Sequence, residues 1–442
     1  MMAHAGTESH DGGWFHDFTH STVTGSVILL ISAIAALTWA NSPWADSYFA
    51  LAHTYVGVSW GEASLQMSLQ HWINDALMVL FFFVVGLEIK RELVVGELSS
   101  LAKSVLPVAA AAGGMIVPAV LYVALNVGGE GASGWGVPMA TDIAFALGIL
   151  ALFGSRAPIG LKVFLTALAI ADDLGAVAVI ALFYTDQIHW NGLIVAAAFL
   201  FLLYLQIQFR SRRTGIMFLT IVMVWAGVFA SGVHATVAGI LLAFLVPVRS
   251  KIDPQEFLQR AKKRILQLDA AGLTSESAIS DSSQYDAMAE IAKVTEDVRP
   301  PGLTLEKYLH PTQVFIVLPL FAFFNAGVSI DKGILEVMLE PVTLGIIVGL
   351  FVGKQIGVLG ASWIAIKSGY GNIPEGMSWG QIWGAGCLAG VGFTMSLFIT
   401  ELAFKDPVLI SQAKIGILIA SLISGIAGYI ILSRVLPQNV AE

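Results

Sequence analysis

The chain has 442 residues, 56% of them hydrophobic and only 12% charged, and its mean hydropathy is +0.78. These values exclude an ordinary soluble domain and indicate an all-α polytopic membrane protein. The formal charge of -8 is spread over loops and one polar insertion, so it marks no nucleic-acid or acidic-ligand surface. The single cysteine, Cys387, lies in an apolar span and allows no intrachain disulfide.

Residues 1–21 form a polar tail without Lys or Arg, so they lack the charged start of a signal peptide. His4, His10, His16 and His20 fall there. No metal-ligand spacing recurs among them, and a solvated terminus is expected. Apolar spans one to eight occupy the region 22–248. Span one runs Thr22 to Ala40 and is followed by a loop of about thirty residues. In it, His53 to Trp60 and Ala63 to Leu69 alternate around Gly61-Glu62, which reads as a β-hairpin. Span two, His71 to Glu88, ends in a charge cluster of Glu88, Lys90, Arg91 and Glu92, the pattern of an interfacial anchor.

Span three is Val105 to Val127. Span four, Gly134 to Gly154, is interrupted near its start by Gly134, Gly136 and Pro138, which lead into Thr141-Asp142. Glycine and proline loosen a helix and free backbone groups. Inside a membrane such backbone is tolerated where it is packed in protein or lines a cavity. Span five, Leu161 to Phe183, carries Asp172 and Asp173 side by side at its midpoint. Burying one carboxylate at bilayer depth is costly, so an adjacent pair points to an ion pathway. Neighbouring helix positions diverge by about 100°. The two acids therefore face different partners.

Spans six to eight are Trp190 to Gln208, Gly215 to Ser231 and Ala235 to Val248, with His234 in the tight connection between seven and eight. The insertion 249–305 is the one long polar segment. Phe257 to Leu268 has a helical pattern with a basic face, and Tyr285 to Val298 a weaker acidic one, joined by a Ser-rich linker. Two readings stand for this segment, a regulatory element and a tolerated surface insertion, and the second is expected.

Spans nine to twelve occupy 306–436 as Thr312 to Ala326, Thr343 to Ile366, Trp383 to Phe404 and Val408 to Leu432, before a short tail, 437–442. Span ten carries Lys354 at mid-depth. Span eleven is punctuated by Gly384, Gly386, Gly390 and Gly392, with Thr394 following, which makes it a second interrupted span. Two such spans, seven apart in order, point to an inverted-repeat transporter with its site at the crossing. Lys414 lies within two turns of the start of span twelve, where a lysine can snorkel outward. No role is expected for it.

The loops after even-numbered spans, with Lys162 at the first turn of span five, hold eighteen Lys and Arg residues, while the odd-numbered loops hold only Lys332 and Lys405. The positive-inside rule then places both termini in the cytoplasm.

Five runs carry a family resemblance: Ala140 to Arg156, Leu165 to Thr185, Ser231 to Ile240 (SGVHATVAGI), Leu318 to Ser329 (LPLFAFFNAGVS) and Gly390 to Ile399 (GVGFTMSLFI). They resemble the NhaA-type sodium/proton antiporters over nearly the whole chain, weakening only at the tails and across the insertion, which is longer than the family leads one to expect. The resemblance implies a pH-regulated, electrogenic exchanger of cytoplasmic Na+ or Li+ for external H+ in the bacterial inner membrane. It implies a homodimer through the 53–69 hairpin, in contact with membrane lipid. It assigns Asp172, Asp173, Asp142 and Thr141 to cation and proton binding, with Asp173 the acid exposed to the cavity. It assigns Lys354 as charge partner and proton carrier, and Glu88, Arg91, Glu92, His234 and Glu306 to pH sensing. No cofactor, enzymatic activity or nucleic-acid partner is expected.

The chemistry of the acids agrees with that assignment. A carboxylate deprived of water holds its proton more tightly, and once ionised it is a hard oxygen ligand for a small hard cation. Proton and sodium compete for the same oxygens. If only an occupied site reorients across the membrane, competition becomes exchange. At the two breaks, Asp142 would balance positive helix N-termini and Lys354 negative C-termini. An intramembrane protease would need a GxGD or HExxH context, and neither occurs. A sodium-coupled solute symporter of similar broken-helix architecture would need neutral polar ligands where this chain has Asp172, Asp173 and Lys354.

Overall fold

A computed structural model describes residues 22–60, 63–185, 187–209, 213–272, 274, 281–330, 334–374 and 376–437. The histidine-bearing tail, the Gly61-Glu62 turn, most of the Ser-rich linker, Lys332 and the last five residues lie outside the described residues.

In chain order the elements are α1 (Thr22–Ala40), α2 (Ala45–Ala52), β1 (Tyr55–Trp60), β2 (Ala63–Ser68), α3 (Leu69–Val94) and α4 (Leu101–Asn126). A 3-10 segment, Glu130–Met139, precedes α5 (Ile143–Ala151); then come α6 (Ile159–Phe183), α7 (Trp190–Gln208), α8 (Thr214–Ala230) and α9 (Thr236–Leu245). The insertion holds α10 (Pro254–Ala270) and α11 (Ser282–Val298). Finally come α12 (Pro301–Asn325), α13 (Ile334–Met338), α14 (Pro341–Lys367), α15 (Trp379–Ala389), α16 (Phe393–Ala403) and α17 (Pro407–Val435).

Among the described residues, nine helical segments are long and apolar enough to cross a membrane, and α15 with α16 makes a tenth, bent by 44° at its break. The helices α8 and α9 are apolar but shorter. Large apolar side chains such as Ile31, Ile116, Val120, Phe201 and Ile364 stand exposed along the spans, as they do on a protein whose solvent is lipid. The chain is a multi-pass membrane protein. The strands β1 and β2 pair antiparallel, from Tyr55 opposite Ser68 to Trp60 opposite Ala63.

One boundary differs from expectation. The ninth span was expected to begin at Thr312, but α12 begins at Pro301 and passes through a π-helical turn, Gln313–Val317. Its first turns are polar and escape a hydropathy reading. Pro311 cannot donate a backbone hydrogen bond, and the wider turn that follows accommodates the gap. The insertion is a helical hairpin, α10 against α11, joined by ion pairs of Arg264 with Glu290 and Lys251 with Asp297.

Close helix contact positions the site. Glycines 113 and 357 face each other so tightly that a Cβ on either would fall 2.2 or 2.1 Å from the other's backbone oxygen. Small residues let α4 and α14 approach backbone to backbone, and Gly114 beside them lies against the stem of Lys354.

Candidate functional site

The two interruptions meet at the centre. Asp142 caps α5 by accepting from Phe145 N at 3.1 Å, and its other oxygen accepts from Thr394 N at 3.0 Å and from the Thr394 hydroxyl. One carboxylate thus serves the N-termini of α5 and α16 together, where the helix dipoles favour negative charge. The crossing is stitched further by Thr141 Oγ1, which donates to Ala389 O at 2.8 Å, and by Asp142 N, which donates to Val391 O at 2.6 Å. The backbone groups freed by the breaks are therefore met within the protein. The carbonyl at the end of α15 is met by Thr141; Lys354 gives its bond elsewhere.

That bond goes to Asp172. Lys354 Nζ lies 2.7 Å from Asp172 Oδ2, with side chains 1% and 0% exposed. Asp172 Oδ1 is buried without a hydrogen-bond partner among the described residues. Asp173 is equally buried. The cavity-lining residues of α6 are Thr166 and Ile170, and Asp173 follows them at helical spacing, one turn deeper on that face. The adjacent acids diverge: Asp172 meets the lysine, while Asp173, expected to face the cavity, is not among the residues that line it.

The cavity, about 270 Å³, is lined by Glu88, Arg91, Thr166, Glu306, His310 and Gln313 among others, and reaches Asp142 and Thr394. Glu88 and Arg91 bring one end of it to the last turns of α3, and Glu306 faces them from the start of α12. There Arg91 pairs with Glu92 at 3.3 Å and with Glu306 at 3.5 Å. Glu92 also accepts from Glu97 N at 3.0 Å. Lys90 does not join this cluster: it donates to Phe244 O and Val246 O and so caps the end of α9.

His234 is not brought to this site. It lies at the opposite, hairpin-bearing face, where its Nε2 is 3.2 Å from Asp75 Oδ1 and its Nδ1 is 2.8 Å from Thr236 Oγ1. It lines a separate vestibule of about 640 Å³ with Glu130, Tyr184 and Glu401. An aromatic layer lies between the two spaces: Phe81 lines the first, Phe82 packs on it at 5.1 Å, and Phe398 contacts both Phe82 and the His234 ring at 5.3 and 5.1 Å.

Several polar residues escaped the sequence reading. Asp75 lies in a π-helical turn of α3, also within 3.4 Å of His71. Asn74 and Asn325 bond each other at 2.9 and 3.2 Å. Lys414 does not snorkel outward: it is buried and pairs with Glu401 at 2.8 Å, because α17 turns it toward the last turn of α16. An acid inside an apolar span was the available signal for Asp75.

Residues 16–432 match the Na+/H+ antiporter 1 family. Na+/H+ antiporter NhaA 1 of Saccharophagus degradans is 44% identical over 95% of this chain and 91% of its own length. Na+/H+ antiporter NhaA of Oleidesulfovibrio alaskensis is 44% identical over 97% and 95%, and that of Syntrophobacter fumaroxidans is 46% identical over 94% and 89%. A match of this extent covers both interruptions, the adjacent acids and the buried lysine, and the chain belongs to the Na+/H+ antiporter 1 family.

Proposed function

We propose that the protein exchanges Na+ for H+ across the bacterial inner membrane, taking Na+ or Li+ from the cytoplasm and admitting protons from outside. The observation that carries this is the buried Lys354–Asp172 pair at 2.7 Å, with Asp173 beside it and Asp142 at the crossed helix breaks. Asp173 serves as the main cation ligand, and Asp172, Asp142 and Thr141 complete or orient the site. Without sodium, Lys354 and Asp172 keep each other charged. A cation that displaces the proton of Asp173 weakens that pair and favours release of a second proton from Lys354, so more than one proton leaves per cation and exchange is electrogenic.

We further infer twelve spans in inverted repeats, counting α8 and α9 as short spans and the 3-10 segment with α5 as a broken one. The basic loops and both termini face the cytoplasm. The 270 Å³ cavity is then the cytoplasmic access, and Glu88, Arg91, Glu92 and Glu306 at its mouth set the pH response. His234, at the other face, acts there through Asp75. The exposed hairpin edge, with Tyr55 and Val56 open to solvent, supports pairing with a second copy, since unpaired strands add to one another. The site offers charged groups where an organic solute would need neutral ones, which disfavours a solute symporter. The test is transport by the purified protein in vesicles: Na+ or Li+ collapses an imposed pH gradient with no organic solute present. A strict requirement for a co-transported solute would overturn the reading.

A further inference from the structure

On its way between the mouth and Asp142, the access cavity passes one side chain that neither the fold nor the ion pairs explain. Gln313 opens the π-helical turn of α12 and is 5% exposed. It lines the cavity, and its Oε1 is buried with no hydrogen-bond partner among the described residues. Its neighbours along the wall include Phe81, Leu147, Val314, Leu318 and Met395, all apolar. A leucine would pack here without leaving a carbonyl oxygen unmet, and an unmet buried acceptor is a cost that persists only where something else meets it. Single π turns of this kind recur at functional positions.

We propose that Gln313 Oε1 is a way-station ligand for a small monovalent cation, Na+ or Li+, between the cytoplasmic mouth and the Asp173 site. This deepens the antiport reading and rests on it.

The placement supports the assignment. Along α12 the cavity is lined by Glu306, His310 and Gln313, four and then three residues apart, so one helix face presents a carboxylate, an imidazole and an amide in order of depth. At about 1.5 Å of rise per residue, Gln313 lies roughly 10 Å deeper than Glu306. An amide oxygen is a hard ligand without formal charge. It replaces one water of a partly dehydrated cation, yet adds nothing to the negative charge of Glu88, Glu306 and Asp142 that would trap the ion. Passage through a site requires binding strong enough to admit and weak enough to release. Thr166 of α6 and Thr394 of α16 line the same cavity and supply further neutral oxygens toward Asp142.

The experiment uses the full-length protein in vesicles with Na+ supplied from the cytoplasmic side. Gln313→Leu is expected to lower kcat/KM for Na+ about tenfold with kcat held within twofold, because arrival is slowed and the Asp173 site is intact. Gln313→Asn, which restores an amide oxygen, should recover most of the loss. Gln313→Glu should lower both KM and kcat, because a carboxylate holds the ion too long. If Gln313→Leu keeps the wild-type kcat/KM, the assignment is overturned. It is equally overturned if kcat and kcat/KM fall in the same proportion and Asn restores neither, the signature of a packing role. A wild type that exchanges normally beside an unaffected Leu variant removes the Gln313 proposal alone, whereas a wild type without Na+-dependent proton flux removes the antiport reading with it.

Discussion

Replacing Lys354 with methionine would leave Asp172 without its counter-charge in a site with almost no water, where it must either stay ionised at high cost or take up a proton. The two side chains are 1% and 0% exposed, Nζ is 2.7 Å from Oδ2, and the other carboxylate oxygen already lacks a partner. Breaking a buried pair by removing one member costs about 3–5 kcal/mol, whereas replacing both with apolar groups of similar volume is often nearly neutral. Lys354→Met and Asp172→Leu should each therefore destabilise the protein by roughly that amount, and the double variant should recover most of it, a coupling well above the ~0.5 kcal/mol scatter of independent sites. The assay is unfolding of the purified protein in detergent for the wild type, both single variants and the double variant. Additive losses would show that the lysine and the acid do not sustain each other's charge, and would remove the basis for assigning proton release to the pair.

Asp173→Asn should abolish exchange while leaving expression and thermal unfolding unchanged; wild-type Na+ binding in that variant would refute its place as main ligand. Glu92 and Glu306 both pair with Arg91, and Glu88 lines the same cavity, so Glu88→Gln, Glu92→Gln and Glu306→Gln should each move the activity profile along the pH axis more than they lower its maximum. An unshifted profile in all three would count against a sensor. Lys354→Arg keeps a charge that does not readily leave as a proton, and transport current per sodium should fall; a current equal to wild type would transfer proton carriage to Asp172. Gly357→Val should separate α4 from α14, since a Cβ there would lie 2.1 Å from the Gly113 oxygen, and the variant should lose several degrees of Tm; an unchanged Tm would show that this contact does not hold Lys354 in place.

The spans were legible because lipid imposes a simple rule: a stretch of apolar residues long enough to cross must be helical. Thr22 to Ala40 and Trp190 to Gln208 were read to the residue. The 3-10 segment before α5 and the 44° bend between α15 and α16 fall where Gly134, Gly136 and Pro138 and the glycines of span eleven stand, residues that free backbone groups. That Lys354 meets Asp172 followed from depth, because unlike charges at the middle of a bilayer have few other partners. Depth fails near span ends, where water is an alternative partner, and that is where the misses lie. Lys414 looked able to reach solvent, and only the packing of α17 on α16 aims it at Glu401. Lys90 looked like one more charge in the mouth cluster, and only the arrival of α9 beside α3 makes it a cap. Asp75 is within reach of both His71 and His234 through a contact across 159 residues of chain. Gln313 carries no charge, so nothing in a hydropathy pattern singles it out.

In the proposed mechanism proton and sodium compete for the same buried carboxylates. The direct measurement is proton release from the purified, detergent-solubilised protein on adding Na+, followed at a series of pH values with Asp173→Asn alongside. Release of more than one proton per bound cation, its Na+ requirement rising as the pH falls and its signal absent in Asp173→Asn, is the result predicted. Sodium binding that leaves the proton count unchanged at every pH would contradict it.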